Sequence, residues 1–246
     1  MKLKILKIKV NITSYKQVVE KIFNWIEDDN SGKYICVSNV HMCMEAFDNP
    51  NFCKIVNEAD LVVPDGRPLV WAQILLGEKN GSQVRGSDLL LTVCKEAEKA
   101  GISIGLYGGT EKTLADFITF LKTRYTNLKI PFASSPPFRE LTQKEEETYI
   151  QKLNTSGASI IFVGIGCPKQ ERWMAKHRDR LNCVMIGVGA AFDFFSGQKK
   201  HAPQWMQKAG IEWIFRLISD PRRLWKRYFK HNPRFIYYLI KQLYLK

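Results

Sequence analysis

The stretch SIIFVGIG at residues 159–166 decides the fold of this chain. An almost unbroken apolar run that ends in glycine is typical of a strand buried on both faces of a parallel sheet. Helical segments separate it from four runs of the same kind, so we predict an α/β fold with a doubly wound, mostly parallel sheet and helices on both faces. These runs are YICVSN (34–39), LVVPDG (61–66), ISIGLYGG (102–109) and CVMIGVG (183–189).

The composition changes near residue 199. Residues 199–246 contain 12 basic and 2 acidic residues, a net charge of +10 out of +13 for the whole chain. Such a block is typical of a surface that meets anionic lipid, nucleic acid or a phosphorylated substrate. Aromatic residues interleave with the charges, and Pro221 and Pro233 predict a division into short helices. We therefore predict an α/β domain over residues 1–198 and a basic, aromatic, helical appendage over residues 199–246.

Three other features limit the class of protein. The six cysteines have no C-x-x-C spacing, which indicates free thiols in a reducing cytoplasm. The N-terminal MKLKILKIKV alternates lysine with aliphatic residues and predicts a strand, not a signal peptide. No apolar stretch approaches the roughly 20 residues that a membrane span requires. We expect a protein that is at most peripheral to a membrane.

Several predicted strands end in polar or glycine-rich turns. In open α/β sheets, ligands bind outside the carboxyl ends of the strands, so these turns should meet in one crevice. That crevice is the predicted active site. The turns are Ser38-Asn39, Asp65-Gly66, Gly108-Gly109-Thr110, Gly164 to Gln170 and Gly189 to Asp193.

Two charged residues in these regions are candidates for chemistry. Asp65 closes an apolar strand, where a carboxylate serves as a general base, although an Asp-Gly pair is also an ordinary turn or helix cap. Arg85 precedes a helix that Ser87 or Asp88 caps, and its planar guanidinium suits a phosphate. A plain surface charge is the alternative for Arg85.

The glycine turns at Gly108-Gly109 and at Gly164 to Gly166 let backbone N–H groups approach a pyrophosphate at a helix N-terminus. Glycine also serves in tight strand exits, so each turn is a weak signal alone. Gln170 and Glu171 follow at the start of a predicted helix. There they contact a sugar or phosphate, or are ordinary first-turn polar residues.

No D-x-D sequence occurs, and His41, His177, His201 and His231 show no ligand spacing with Asp, Glu or Cys. We therefore expect neither a metal site nor a cofactor. Cationic side chains of the appendage would then stabilise a leaving diphosphate. The alternative for these arginines is a solvated charged face.

Six motifs, in order along nearly the whole chain, resemble the WecG/TagA/CpsF glycosyltransferase family. They are SNVH (38–41), ADLVVPDG (59–66), RGSD (85–88), GIGCPKQE (164–171), GVGAAFDF (187–194) and APQWMQKAGIEWIFRLISDPRRLWKRY (202–228).

The resemblance implies a Rossmann-like, inverting, metal-independent transferase. It would move a sugar from a UDP-sugar to an undecaprenyl-diphosphate-linked saccharide in bacterial wall-polymer, capsule or exopolysaccharide synthesis. The implied location is the cytoplasmic face of the cell membrane, with residues 199–246 on the anionic lipid surface. A chain ending near residue 198 is expected to fold but to lose liposome binding and activity together. Nucleic acid is not an expected partner, and self-association into a homo-oligomer stays open.

The donor sugar has two candidates. The best-known family members use an N-acetylmannosamine-type donor. The RPLVW sequence after Gly66 and SPPFR at 135–139 look like the exopolysaccharide branch, which also leaves glucose open.

Carried over residue by residue, the resemblance makes Asp65 the catalytic base and Ser38, Asn39, Arg85 and Gln170 active-site polar groups. Arg216, Arg223 and Arg227 are similar to appendage arginines that close over the diphosphate. The predicted catalytic residues are Asp65, Ser38, Arg85 and Gln170. The predicted substrate-binding residues are Asn39, Gly66, Asp88, Gly108, Gly109, Gly164, Gly166, Glu171, Asp193, Arg216, Arg223 and Arg227.

Two other classes of function fit parts of the sequence. A nucleic-acid-binding protein would use the basic, aromatic tail to track phosphates and stack bases. A nicotinamide-dependent oxidoreductase would need an acidic ribose ligand after a glycine turn, and no complete fingerprint of that kind is present.

Overall fold

The computed structural model describes residues 1–29 and 32–245, and that part of the chain contains eight strands and twelve helices. The strands are β1 (Lys2–Ile5), β2 (Ile8–Asn11), β3 (Tyr34–Ser38), β4 (Leu61–Pro64), β5 (Ile104–Gly108), β6 (Phe132–Ser134), β7 (Ile160–Gly164) and β8 (Val184–Gly187). The helices are α1 (Tyr15–Glu27), α2 (Val40–Asp48), α3 (Pro50–Glu58), α4 (Arg67–Leu75), α5 (Gly86–Ala100), α6 (Glu111–Arg124), α7 (Gln143–Ser156), α8 (Lys169–His177), α9 (Ala191–Phe195), α10 (Gln204–Lys208), α11 (Glu212–Ser219) and α12 (Pro221–Tyr244).

Six strands form a parallel sheet in the order β4-β3-β8-β7-β5-β6. All residues of β4, β5 and β8 are buried, as are those of β3, which matches their continuous apolar sequences. The α/β, Rossmann-like prediction is confirmed. The five predicted runs supply every strand except β6, whose three residues include only one buried side chain, Phe132.

The N-terminus forms a hairpin, so the prediction of a single strand was wrong. β1 and β2 pair antiparallel, with Ile5 opposite Ile8. Leu6 between them has a left-handed backbone with φ of 52°, a conformation that tight hairpin turns require. The Leu6 N–H donates to the Gln242 side chain at 2.7 Å, which holds the turn in place.

The chain divides into two compact units, and β3 passes from one to the other. The first unit comprises residues 1–14, 37–85 and 200–246, and the second comprises residues 15–36 and 86–199. The predicted appendage therefore belongs to a compact unit together with two earlier segments. Whether residues 1–198 fold without it stays a prediction. Lys246, the last residue of that appendage, lies outside the described residues.

The second unit contains most of the parallel sheet. Its helices cover the sheet with aromatic side chains, and Phe117 of α6 stacks on Phe192 and Phe195 of α9 with ring centroids 5.1 and 5.9 Å apart. The α9 helix follows β8 directly, so this packing fixes the turn at the end of β8.

In the first unit, α12 packs against α2. Phe47 and Tyr238 have ring centroids 4.3 Å apart, and Arg234 donates two hydrogen bonds to Asp48 at 2.8 and 2.5 Å. None of the described helices is long and apolar enough to cross a membrane.

The expected helix break at Pro233 does not occur. Instead, α12 runs unbroken from Pro221 to Tyr244. A proline inside a helix costs about 3 kcal/mol through a lost hydrogen bond and a steric clash. Buried side chains on both sides of it, Leu224 before and Phe235 and Leu239 after, hold the two halves in one helix. Pro221 does start the helix, as predicted.

Candidate active site

Asp65 lies immediately after β4 in the first unit, and its backbone is fixed from two directions. Its N–H donates to the Ser38 carbonyl at 2.7 Å, and its own carbonyl accepts from the Gln83 side chain at 2.6 Å. The ends of β3 and β4 therefore meet, as two of the predicted strand-end turns require. These two hydrogen bonds fix the backbone from which the Asp65 side chain extends.

Asp65 lines a cavity of about 620 Å³ in the first unit. Residues of two kinds line it. The charged and polar ones include Asn39, Asp65, Arg67, Glu212, Arg216 and Arg227. The apolar ones include Trp71, Trp213, Tyr228, Phe235, Leu239 and Leu243. A ligand with an anionic head and a hydrocarbon tail matches this composition.

At the end of β3, Asn39 lines the cavity, whereas Ser38 is not among its lining residues. Ser38 is completely buried, and its Oγ makes no hydrogen bond. The Asn39 side chain caps α2 by accepting from the Met42 N–H at 3.2 Å. Asn39 and Gly66 line the cavity, and Asn39 has the additional structural task of capping α2. The predicted contact of Asn39 and Gly66 with substrate stays a prediction.

Glu212 holds two of the predicted arginines. The Arg216 Nε donates to Glu212 Oε1 at 2.8 Å, and Arg85 Nη1 lies 4.0 Å from Glu212 Oε2. Burial opposes the charge on Arg216, but the carboxylates of Glu212 and Asp65 raise its pKa above the ordinary value. Arg216 is therefore a permanent cation beside the predicted base. Arg85 also donates to the side chain of Gln207.

Two further arginines of the cavity have donors that the protein does not satisfy. The Nε groups of Arg67 and Arg227 are buried and have no hydrogen-bond partner. Buried donors of this kind need an explanation, and an anionic ligand in the cavity supplies one. Sequence reasoning missed Arg67, although its place at the start of α4, two residues after Asp65, was the available signal.

Arg223 lies elsewhere. Its side chain is 56% exposed, its Nε donates to Asp220 at 2.6 Å, and it is not among the residues that line the cavity. Among the three predicted appendage arginines, the structure thus brings Arg216 and Arg227 to Asp65's cavity and leaves Arg223 at the surface.

The predicted glycine turns of the second unit come together where β5 and β7 end. Gly108 has φ of 131°, and a Cβ atom there would lie 2.5 Å from the Gly164 carbonyl. A Cβ atom on Gly164 would lie 2.8 Å from the Phe192 ring. Close packing of backbone against backbone and ring therefore requires both glycines. Gly109 and Gly166 also have positive φ, and Gly166 faces open space.

Gln170 and Glu171 are buried in the second unit and bonded to each other. Gln170 Nε2 donates to Glu171 Oε1 at 2.7 Å, and Gln170 Oε1 accepts from the Gly189 N–H at 3.0 Å. Burial raises the pKa of Glu171 to about 7, although the hydrogen bond from Gln170 opposes this rise. With 3% and 0% of their surfaces exposed, these residues position the turn after β8 in this structure. Their predicted contact with substrate stays a prediction.

The two remaining predicted acidic residues have partners within the second unit. Asp88 accepts from the Tyr15 hydroxyl at 3.2 Å, and Asp193 pairs with Lys199. The expectation that all five strand-end turns share one crevice also stays a prediction.

The statement that no histidine has ligand spacing was wrong for His41. His41 and Glu45 lie one turn apart on α2, and His231 of α12 joins them. One donor atom from each of the three side chains lies within 4.8 Å of the others. The i, i+4 spacing was visible in the sequence, but the third residue comes from a distant segment.

Comparisons with known proteins agree with the motifs. The model of the glycosyl transferase WecG/TagA/CpsF family matches residues 3–246. An N-acetylglucosaminyldiphosphoundecaprenol N-acetyl-beta-D-mannosaminyltransferase of Staphylococcus aureus (strain MW2) is 30% identical over 242 residues, which cover 98% of this chain and 92% of the relative. A protein of the same name from Bacillus spizizenii (strain W23) is 29% identical over 201 residues, covering 81% and 76%.

Proposed function

Because the chain belongs to the WecG/TagA/CpsF family of glycosyltransferases, we propose that it transfers a sugar from a UDP-sugar to an undecaprenyl-diphosphate-linked saccharide, with inversion at the anomeric carbon. The enzyme class is established by the family. Membership of a glycosyltransferase family accounts for residues 3–246, so we do not pursue the nucleic-acid-binding and oxidoreductase alternatives. The donor, the acceptor and the stereochemical course are our proposal.

The observation that carries the proposal is the position of Asp65 in a cavity with Arg67, Arg216 and Arg227. A carboxylate among fixed cations suits a reaction in which a hydroxyl loses a proton while a diphosphate gains negative charge. The apolar lining residues of the same cavity suit the hydrocarbon of a prenyl diphosphate.

In the proposed step, Asp65 accepts the proton of the acceptor hydroxyl. The hydroxyl oxygen forms a bond to the anomeric carbon as the bond from that carbon to the UDP oxygen breaks. The bonding electrons leave with UDP, and attack from the opposite face inverts the configuration. Cationic side chains of the cavity stabilise the diphosphate charges, and Arg216 is the one whose charge Asp65 itself favours.

Two sugars remain candidates for transfer. The names of the relatives from S. aureus and B. spizizenii specify N-acetylmannosamine, which favours that class of donor. The RPLVW and SPPFR sequences favour glucose.

A donor screen tests the proposed function. Purified enzyme is incubated with a short-chain prenyl-diphosphate-linked N-acetylglucosamine or glucose, and with UDP-N-acetylmannosamine, UDP-glucose or UDP-N-acetylglucosamine in turn. We expect acceptor-dependent UDP release with one of the first two donors. NMR of the product then gives its anomeric configuration: a β-linked product indicates inversion, and an α-linked product indicates retention. Absence of UDP release with every pair, from folded enzyme, would contradict the proposed substrates.

We also propose that α11 and α12 dock on an anionic membrane surface at the cytoplasmic face. Their exposed side chains combine large apolar groups, among them Trp225 and Phe229, with basic groups such as Arg222 and Lys226. Apolar side chains inserted at the headgroup boundary and cations beside anionic lipids are the two terms that hold an interfacial helix.

The double substitution Trp225→Ser and Phe229→Ser tests this docking. Each exposed ring contributes about 1.5 to 3 kcal/mol when buried, so we expect binding to vesicles of mixed neutral and anionic phospholipid to fall at least about tenfold. Sedimentation with vesicles measures it, and 0.5 M salt should weaken binding of the parent protein. Phe138→Ser, which removes a ring that is 85% exposed in the second unit, is the matched control. Equal binding by the double variant and the parent would refute docking through α12.

A further inference from the structure

His231 is a buried imidazole with unsatisfied hydrogen-bonding capacity. Only 4% of the residue is exposed, and its Nδ1 has no hydrogen-bond partner. Its Nε2 lies 3.5 Å from Glu45 Oε1, which is long for a hydrogen bond. Buried polar groups are almost always paired, and this ring lacks a close partner at either nitrogen. The nitrogen that faces Glu45, and that an ion shared with Glu45 would use, is Nε2.

His41 and Glu45 supply two more donors beside this ring. The His41 Nδ1 lies 3.8 Å from Glu45 Oε1, and the two imidazole rings have centroids 5.2 Å apart. Three ligand atoms at about 2.0 to 2.2 Å from one ion lie roughly 3.0 to 3.6 Å from one another in tetrahedral geometry. The 3.5 Å between His231 Nε2 and Glu45 Oε1 lies within this range, and the 3.8 Å between His41 Nδ1 and Glu45 Oε1 lies slightly beyond it. All three donor atoms lie within 4.8 Å of one another, so the side chains must draw closer together to hold one ion.

We propose that His41, Glu45 and His231 form a binding site for a divalent late transition-metal ion, with Zn²⁺ as its representative. Two imidazole nitrogens and one carboxylate oxygen suit Zn²⁺, whereas Mg²⁺ prefers six oxygen ligands. His41 and His231 both line the cavity, so a water molecule from the cavity completes the coordination.

Three basic residues, Arg227, Lys230 and Arg234, lie near enough to His231 to act on its charge, so an ion at this position depends on the acidic groups that offset them. Arg234 is paired with Asp48 in a two-bond contact, and Lys230 Nζ lies 4.0 Å from the same carboxylate. Asp48 is occupied by these two basic side chains, so Glu45 is the carboxylate that faces the ion. Because α2 supplies two ligands and α12 the third, the ion ties the two helices together within the first unit.

Metal binding is tested directly on the whole chain, without an activity assay. Protein freed of metal by chelator is titrated with Zn²⁺ against a chromophoric chelator, and with Co²⁺ while visible absorption is recorded. We expect about one ion per chain and the visible bands of four-coordinate Co²⁺. Zn²⁺ at about 100 times its Kd should raise Tm by roughly 5 °C or more. Mg²⁺ should produce neither change.

Single substitutions assign the site. His231→Asn and Glu45→Gln should each weaken Zn²⁺ binding at least about tenfold, and His201→Asn, at an exposed histidine, should leave it unchanged. Glu45→Gln keeps the assignment testable if the buried His231 variant fails to fold. The proposal is overturned if the parent protein binds no Zn²⁺, if Mg²⁺ binds as well as Zn²⁺, or if Glu45→Gln binds Zn²⁺ like the parent. None of these results bears on whether the enzyme transfers sugar.

Discussion

Replacing Asp65 with Asn lowers turnover by about 10² to 10⁴, the usual contribution of a general base, while UDP affinity changes by no more than a few-fold. The amide has nearly the shape of the carboxylate but does not accept the proton of the acceptor hydroxyl. The main-chain N–H and C=O of residue 65 are held by the Ser38 carbonyl and the Gln83 side chain. A change of the residue 65 side chain therefore leaves the backbone in place. Steady-state UDP release and calorimetric UDP binding measure the two quantities.

Two controls separate a base from a structural carboxylate. Asp179→Asn changes a side chain that is 93% exposed and should keep full turnover. Added formate should restore part of the activity of Asp65→Ala, because a small carboxylate occupies the vacated space, and it should not help Asp65→Asn. A loss of less than about threefold in Asp65→Asn would reject the assignment of Asp65 as the base.

The parallel sheet was predictable because each of its long strands is buried along its whole length. Such strands are continuous apolar runs in the sequence, as SIIFVGIG shows. The strand β6 gave no such signal, since an edge strand of three residues needs only one buried side chain. The continuation of α12 through Pro233 was not predictable, because tertiary packing of Phe235 and Leu239 overrides a local preference.

The position of a residue at the cavity was predictable where that residue lies at a strand end. Asp65 satisfies that condition, and its motif carries the family resemblance. Arg67 looked like an ordinary first-turn residue, and only the burial of its unpaired Nε indicates a ligand. In the sequence, Gln170 and Glu171 also looked like first-turn polar residues of a helix. In the structure both are buried, and Gln170 accepts a hydrogen bond from the Gly189 N–H. The approach of His231 to Glu45 depends on how α12 lies on α2, which no local pattern specifies.

The appendage arginines should differ sharply in their contribution to activity. Arg227→Gln is expected to reduce kcat/KM by about 10² to 10³, the usual effect of removing one donor from a developing negative charge. The Arg227 side chain lines the cavity with a buried, unpaired Nε, which a diphosphate bound there would satisfy. Arg227→Lys should recover only part of this loss, because an ammonium lacks the planar set of donors.

Arg222 and Arg223, on the same helix, make the comparison specific to position. Arg222→Gln removes an exposed charge from the first turn of α12 and should change kcat/KM by less than about threefold when a water-soluble acceptor is used. Arg223→Gln is expected to behave like Arg222→Gln, since its side chain is exposed and bonded to Asp220. If Arg223→Gln instead loses as much activity as Arg227→Gln, the start of α12 must move toward the substrate during the reaction. If all three variants keep activity, the diphosphate of the leaving UDP is held by Arg67, Arg85 or Arg216. In that case α12 contributes only to membrane docking.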